Sequence, residues 1–206
     1  MDRKAAMRPS DPPPPRSPLP SEGHIFIVSA PSGAGKTTLR RAALERLPDL
    51  IYSVSYTTRS PRPGEVGGRD YEFIPLAEFE EGIGTGRWAE WAQVHGNYYG
   101  TSADIVRRAV AAGRDILLDI DVQGARQICR RYPQSVTIFI MPPSLDILAK
   151  RLQARGSDGP EAIALRLRNA REEMAQKDAY DHVIVNDRLE AAVEELVAVI
   201  ALYRKP

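Results

Sequence analysis

Residues 30–37, Ala30-Pro31-Ser32-Gly33-Ala34-Gly35-Lys36-Thr37, confine this chain to a narrow set of folds. They follow a strand-like run from His24 to Ser29 and open a helix-like run from Thr38 to Leu44. A strand, a Gly-rich loop ending in Gly-Lys-Thr, then a helix is a phosphate-binding loop in its expected setting. Gly33 and Gly35 let backbone N–H groups turn inward around an anion, and the helix N-terminus adds partial positive charge. Lys36 can neutralise terminal phosphates, and the Thr37 hydroxyl can ligate magnesium. The general pattern asks for Gly where this chain has Ala30; one added methyl group is tolerated if φ there is negative.

Composition narrows the setting. The 206 residues allow one sizeable domain with inserted lobes. A net charge of +1 argues against a general nucleic-acid or membrane binder. Cys129 is the single cysteine, which excludes an intrachain disulfide and fits a reducing, cytoplasmic setting. No apolar run approaches the roughly 18 residues that span a membrane, and the N-terminus lacks the apolar core of a signal peptide. Residues 1 to about 22, with Pro12-Pro13-Pro14-Pro15, Pro18 and Pro20, read as a disordered extension.

Beyond that extension, apolar runs alternate with helical patterns. Residues 116–120, 136–140 and 183–185 read as buried strands. Helical periodicity covers about 104–112, 122–131, 144–153, 161–176 and 188–203. Asp187 with Glu190 predicts a capping box, and Pro160 suits a first helical turn. This alternation implies a parallel sheet with helices on both faces. Residues 55–101, rich in Thr, Arg, Gly, Tyr and Trp, break the rhythm and read as a small, mostly β insertion. Within it, residues 95–98 read as a turn between strands.

Several clusters can carry chemistry. Arg59 and Arg62 lie on a segment stiffened by Pro61 and Pro63 and suit a phosphate monoester, with hydroxyl donors from Tyr71 and Tyr99; alone, two such arginines also fit a solvated loop. Alternation places Trp88, Glu90 and Ala92 on one strand face. Glu90 is either an edge charge facing water or a reader of a base edge: guanine offers N1–H and the 2-amino group to a carboxylate, adenine offers no such pair. Asp119 and Asp121 follow an apolar strand, where ligands of α/β sheets bind; Asp119 suits magnesium, and Asp121 also suits a helix cap. Arg151, Arg155, Arg166 and Arg168 flank Gly156 and Gly159 in the manner of a mobile lid, though each singly also fits a helix surface. His24, His95 and His182 are scattered and read as structural.

Taken together, the chain resembles guanylate kinases over about residues 23–203. The resemblance rests on Ser55 through Arg62, Gly64-Glu65-Val66, Asp70-Tyr71, Gly96-Asn97-Tyr98-Tyr99-Gly100-Thr101, residues 118–124 and Val185-Asn186-Asp187. It implies a P-loop nucleoside monophosphate kinase fold, α/β, with a parallel sheet core (23–54, 102–153 and 177–203), a GMP-binding lobe (55–101) and a lid (about 154–176). It implies transfer of the γ-phosphoryl group of ATP to GMP with magnesium, and needs no nucleic acid, membrane or obligate protein partner. Ala30, Pro31, Ser32, Gly33, Ala34, Gly35, Lys36, Thr37, Thr38 and Asn186 would bind ATP. Arg59, Arg62, Tyr71 and Tyr99 would hold the GMP phosphate; Ser55, Glu90 and Thr101 would read guanine, with Asp121 close by. Lys36, Arg59, Arg155 and Arg166 would act on the transferring group, and Thr37 and Asp119 would face the metal. A non-catalytic scaffold domain of the same family, and a kinase for another phosphorylated acceptor, are the alternatives.

Overall fold

The computed structural model describes residues 23–94, 96–154 and 159–204. The proline-rich extension, His95 and Arg155 lie outside the described residues.

The first strand, β1 (Ile25–Ser29), is buried along its whole length. Phe26 and Val28 face one side of the sheet, Ile25 and Ile27 the other. This explains why its sequence is continuously apolar: a central parallel strand has no solvent face. It pairs in parallel with β7 (Ile116–Asp119) and β8 (Val136–Met141). β2 (Ile51–Ser53) and β9 (His182–Val185) complete a parallel sheet of order β2-β7-β1-β8-β9. One face packs α1 (Lys36–Arg46) and α7 (Leu189–Tyr203), with Leu39, Val193, Leu196 and Ile200 fully buried. Burying each such side chain contributes about 1.5–3 kcal/mol. The other face packs α3 (Ala103–Ala111) and α4 (Val122–Arg131). A third small cluster joins α5 (Leu145–Ala154) to α6 (Pro160–Met174) through Leu148, Leu152, Ala170, Ile163 and Leu167.

Residues 55–102 carry a second sheet. Its strands are β3 (Tyr56–Thr57), β4 (Glu72–Phe73), β5 (Trp88–Val94) and β6 (Asn97–Ser102), in the order β4-β3-β6-β5. β5 and β6 form an antiparallel hairpin closing on Val94 and Asn97, with Gly96 at φ 80°. This segment also contains a helix that the sequence reading did not foresee, α2 (Leu76–Gly84). Phe79 on α2 is fully buried and stacks on Trp88 and Tyr98, so the aromatic content serves packing of α2 on the sheet.

Two local expectations need correction. Trp88 does not share a face with Glu90: one extra residue bulges β5 between them, so Trp88 turns towards Phe79 and Tyr56 while Glu90 and Ala92 face the core domain. The capping box at α7 does not form, because its N-cap is Arg188 and no side chain caps it. Glu190 instead accepts a hydrogen bond from Arg46 across to α1.

Two side-chain ties help to hold the second sheet to the core. The Gln127 side chain on α4 donates to Trp91 O at 2.7 Å and accepts from Trp91 N at 3.2 Å, completing the outer edge of β5 as a neighbouring strand would. Arg41 on α1 pairs with Asp70, which is buried and also accepts from Val66 N at 3.0 Å.

Candidate active site

A cavity of about 270 Å³ opens at the C-terminal ends of β1 and β7, between the Gly-rich loop and the second sheet. In open α/β sheets that end of the strands is where ligands bind. The cavity is lined by the loop residues Ala30, Pro31, Ser32, Gly33, Gly35, Lys36, Thr37 and Thr38, by Ser55, Arg62, Tyr71, Glu90 and Tyr99, and by Asp119, Asp121 and Arg166. Most residues singled out in the sequence thus share one space. Ala34, Arg59, Thr101 and Asn186 stand just behind its walls.

The loop is built as its glycines require. Gly33 and Gly35 have φ of 95° and 92°, in the left-handed region closed to most side chains. Behind it, Asn186 Nδ2 donates to Ala34 O at 2.8 Å, while Arg151 donates to Ala34 O at 3.4 Å and to Asn186 O at 3.0 Å. Asn186 is buried, so its place is a brace under the loop. Arg151, one of the expected lid arginines, braces the same loop.

Lys36 projects from the first turn of α1. Its Nζ lies 2.5 Å from Asp119 Oδ1 and 3.3 Å from Ile120 O. Burial opposes its charge, but the Asp119 carboxylate outweighs this and holds its pKa above the usual lysine value. Asp119 Oδ2 lies 3.4 Å from Arg40 Nε, and the buried Arg40 guanidinium stacks 3.9 Å over the Tyr52 ring. Asp121 is the N-cap of α4, accepting from Gly124 N at 2.8 Å, and it also faces the cavity. Asp121 thus caps α4 and faces the cavity at the same time.

Across the cavity, Glu90 is 3 % exposed. Its Oε1 accepts a 2.5 Å hydrogen bond from the fully buried Thr101 hydroxyl. Its Oε2 rests on Gly124, where any Cβ would overlap the carboxylate. Burial pushes the Glu90 carboxyl up to about 7; the Thr101 bond and Lys36 pull it down, and Asp121 adds to the rise. The edge-charge reading of Glu90 therefore fails: the carboxylate is turned inward.

The arginine segment is ordered by Glu65. One carboxylate oxygen pairs with Arg59 Nη2 at 2.9 Å, and the other accepts from Arg62 N at 2.7 Å. Arg59 lies against Tyr71, and the Tyr71 and Tyr99 rings meet edge to face with centroids 5.9 Å apart. Arg166 reaches the cavity from α6.

The sequence reading missed Glu173, which lines the cavity from α6, and the steric part played by Gly124. Glu173 lies seven residues after Arg166, two helical turns along the same face. That spacing selects Glu173 over the adjacent Glu172 and could have found it.

Residues 22–203 match the family model described as guanylate kinase. The guanylate kinase of Geobacter sulfurreducens is 52% identical over 179 residues, covering 87% of this chain and 88% of that protein. That of Gloeobacter violaceus is 54% identical over 170 residues, covering 82% and 83%. The crystal structure of guanylate kinase from Anaplasma phagocytophilum superimposes with a TM-score of 0.77 at 33% identity, covering 90% of this chain and 88% of that one.

Proposed function

The chain belongs to the guanylate kinase family, and we propose how its cavity performs the ATP:GMP phosphotransfer of that family. The reaction gives ADP and GDP. The supporting observation is that a buried, inward-facing Glu90 and the loop lysine Lys36 line the same 270 Å³ space. A carboxylate with one oxygen held by Thr101 and the other over Gly124 has a fixed orientation. It accepts guanine N1–H and the 2-amino group; adenine would leave it buried without donors, which is costly. Ser55 lines the same end.

Arg62, Tyr71 and Tyr99 line the wall between base reader and loop, and Arg59 stands behind them. Two guanidinium groups and two phenols suit the GMP phosphate. That phosphate is the nucleophile and is already anionic near neutral pH. No general base is needed, and catalysis consists of positioning and charge stabilisation.

At the other end, the loop N–H groups and Lys36 receive the triphosphate. Lys36 leaves Asp119 for the phosphates, and Arg40 remains on the second carboxylate oxygen of Asp119. The cavity-facing Thr37 and the carboxylate of Asp119 are hard oxygen donors, the type that magnesium prefers. Magnesium carried with ATP would be held there and would offset charge on the transferring group. Arg166 completes the cationic side and excludes water that would otherwise accept the phosphoryl group, a role that the resemblance alone extends to Arg155. A cytoplasmic place in purine nucleotide metabolism follows from the reaction and the single cysteine.

An ADP-release assay across GMP, AMP, CMP and UMP tests this reading. Strong preference for GMP is expected; equal turnover of GMP and AMP would contradict the role of Glu90.

A further inference from the structure

Glu173 has no part in the mechanism above, yet it faces the substrate cavity. It is half-buried, and among the described residues no hydrogen bond or ion pair engages its carboxylate. Its charged neighbours are Lys36, Asp121 and the adjacent Glu172. Lys36 and Asp121 are also the charged neighbours of Glu90. Glu173 and Glu90 thus line one cavity and lie within electrostatic range of the same two charges, Lys36 and Asp121.

The fold holds this side chain in place. Ile163, Leu167 and Ala170 seat α6 on α5, and Ala170 is one turn before Glu173. Three residues further on, Gln176 Oε1 accepts from Arg126 on α4 at 3.0 Å. Arg166 lies two turns nearer the N-terminus of α6, so Glu173 sits at the end of α6 fastened to the core.

We propose that Glu173 accepts a hydrogen bond from a ribose hydroxyl of the nucleoside monophosphate. The inference rests on the guanine-reading assignment of Glu90. A carboxylate facing a nucleotide needs donors. In GMP these are N1–H, the 2-amino group and the two ribose hydroxyls; the phosphate offers only repulsion. Glu90 takes the base donors, which leaves the hydroxyls. Asp121, expected beside the guanine site, is a charged neighbour of both carboxylates, and on that ground the assignment is to the monophosphate rather than to the ribose of ATP. A carboxylate with no protein partner among the described residues, on a fastened helix end, is a preformed subsite.

The test uses the full chain and compares kcat/KM for GMP, 2′-deoxy-GMP and 3′-deoxy-GMP at saturating ATP, in wild type, Glu173→Ala and Glu173→Gln. Wild type should disfavour at least one deoxy substrate by about tenfold, the effect of a hydrogen bond to a charged group, chiefly through KM. Glu173→Ala should bring that ratio to within about twofold of unity, because the acceptor is gone. Glu173→Gln should fall between, since an amide oxygen accepts without charge. Calorimetric titration of the three nucleotides without ATP should give the same order. Equal use of all three by wild type, or an unchanged ratio in Glu173→Ala, would overturn the proposal. A change confined to ATP against 2′-deoxy-ATP would overturn it too, by assigning the carboxylate to the donor nucleotide. Preference for GMP over AMP, read in wild type and Glu90→Gln, judges the base assignment separately, because the ribose ratios are all taken among guanine nucleotides.

Discussion

The Thr101 hydroxyl donates a 2.5 Å hydrogen bond to Glu90 Oε1, and the two residues face each other across the β5–β6 ladder. The bond occupies one carboxylate oxygen from the strand side and leaves the carboxylate edge towards the cavity. Glu90→Gln should keep the shape and lose the ability to accept two parallel donors. The ratio of GMP to AMP turnover should fall by about 10- to 100-fold. An unchanged ratio in the coupled assay would remove Glu90 as the reader.

Binding of GMP should depend on pH through the same group. The Glu90 carboxyl is pushed up to about 7, first by burial, and guanine needs it ionised. At pH 6 only about one site in ten is competent, so the dissociation constant for GMP should be about tenfold weaker than at pH 8. Calorimetry across that range checks this, with Glu90→Gln giving a shallower profile in which only the GMP phosphate, titrating at about 6, and Glu173, pushed up to about 7 by burial, remain.

Stability should show the opposite trend. A carboxyl raised from 4.5 to about 7 by folding binds more protons folded than unfolded. Its stabilising contribution is complete below about pH 4.5 and is lost as pH rises through 7. At about 1.4 kcal/mol per unit this amounts to about 3 kcal/mol at pH 8. Without nucleotide, Glu90→Gln should therefore melt above wild type at pH 8 and near it at pH 4.5.

Gly124→Ala tests the floor of the site. A Cβ there would overlap Glu90 Oε2 and come within 2.9 Å of its Cδ, and the buried carboxylate has little room to retreat. KM for GMP should rise by at least about tenfold, as when a hydrogen-bonded contact is lost, with KM for ATP little changed. Equal effects on both substrates would indicate general distortion of α4.

Lys36→Ala should lower kcat by about two to three orders of magnitude, the usual cost of removing one charge-stabilising group. The fold should persist, since Lys36 packs against no core cluster and Asp119 keeps Arg40. Near-normal turnover, or loss of the melting transition, would contradict its role.

The phosphate-binding loop, the parallel sheet and all five anticipated helices in the second half were legible because each rests on local rules. Gly33 and Gly35 require positive φ, and buried strands and amphipathic helices repeat at fixed periods. Helix α7 was legible in extent but not in its cap, since Glu190 found a stronger partner in Arg46, distant in sequence. Helix α2 was hidden because its nine residues are short and include two glycines.

The sequence alone determined that this chain carries a strand–loop–helix unit suited to a nucleotide phosphate and a second, arginine-rich segment. Only the tertiary structure decided what those parts face. A one-residue bulge in β5 put Glu90 inside and Trp88 opposite, reversing what alternation predicts. Asn186 and Arg151 proved to be braces beneath the loop, and Glu173 entered the cavity two turns beyond Arg166 on the same helix. Such outcomes depend on register, bulges and helix rotation, which are set by packing between segments far apart in the chain and leave no periodic trace along it.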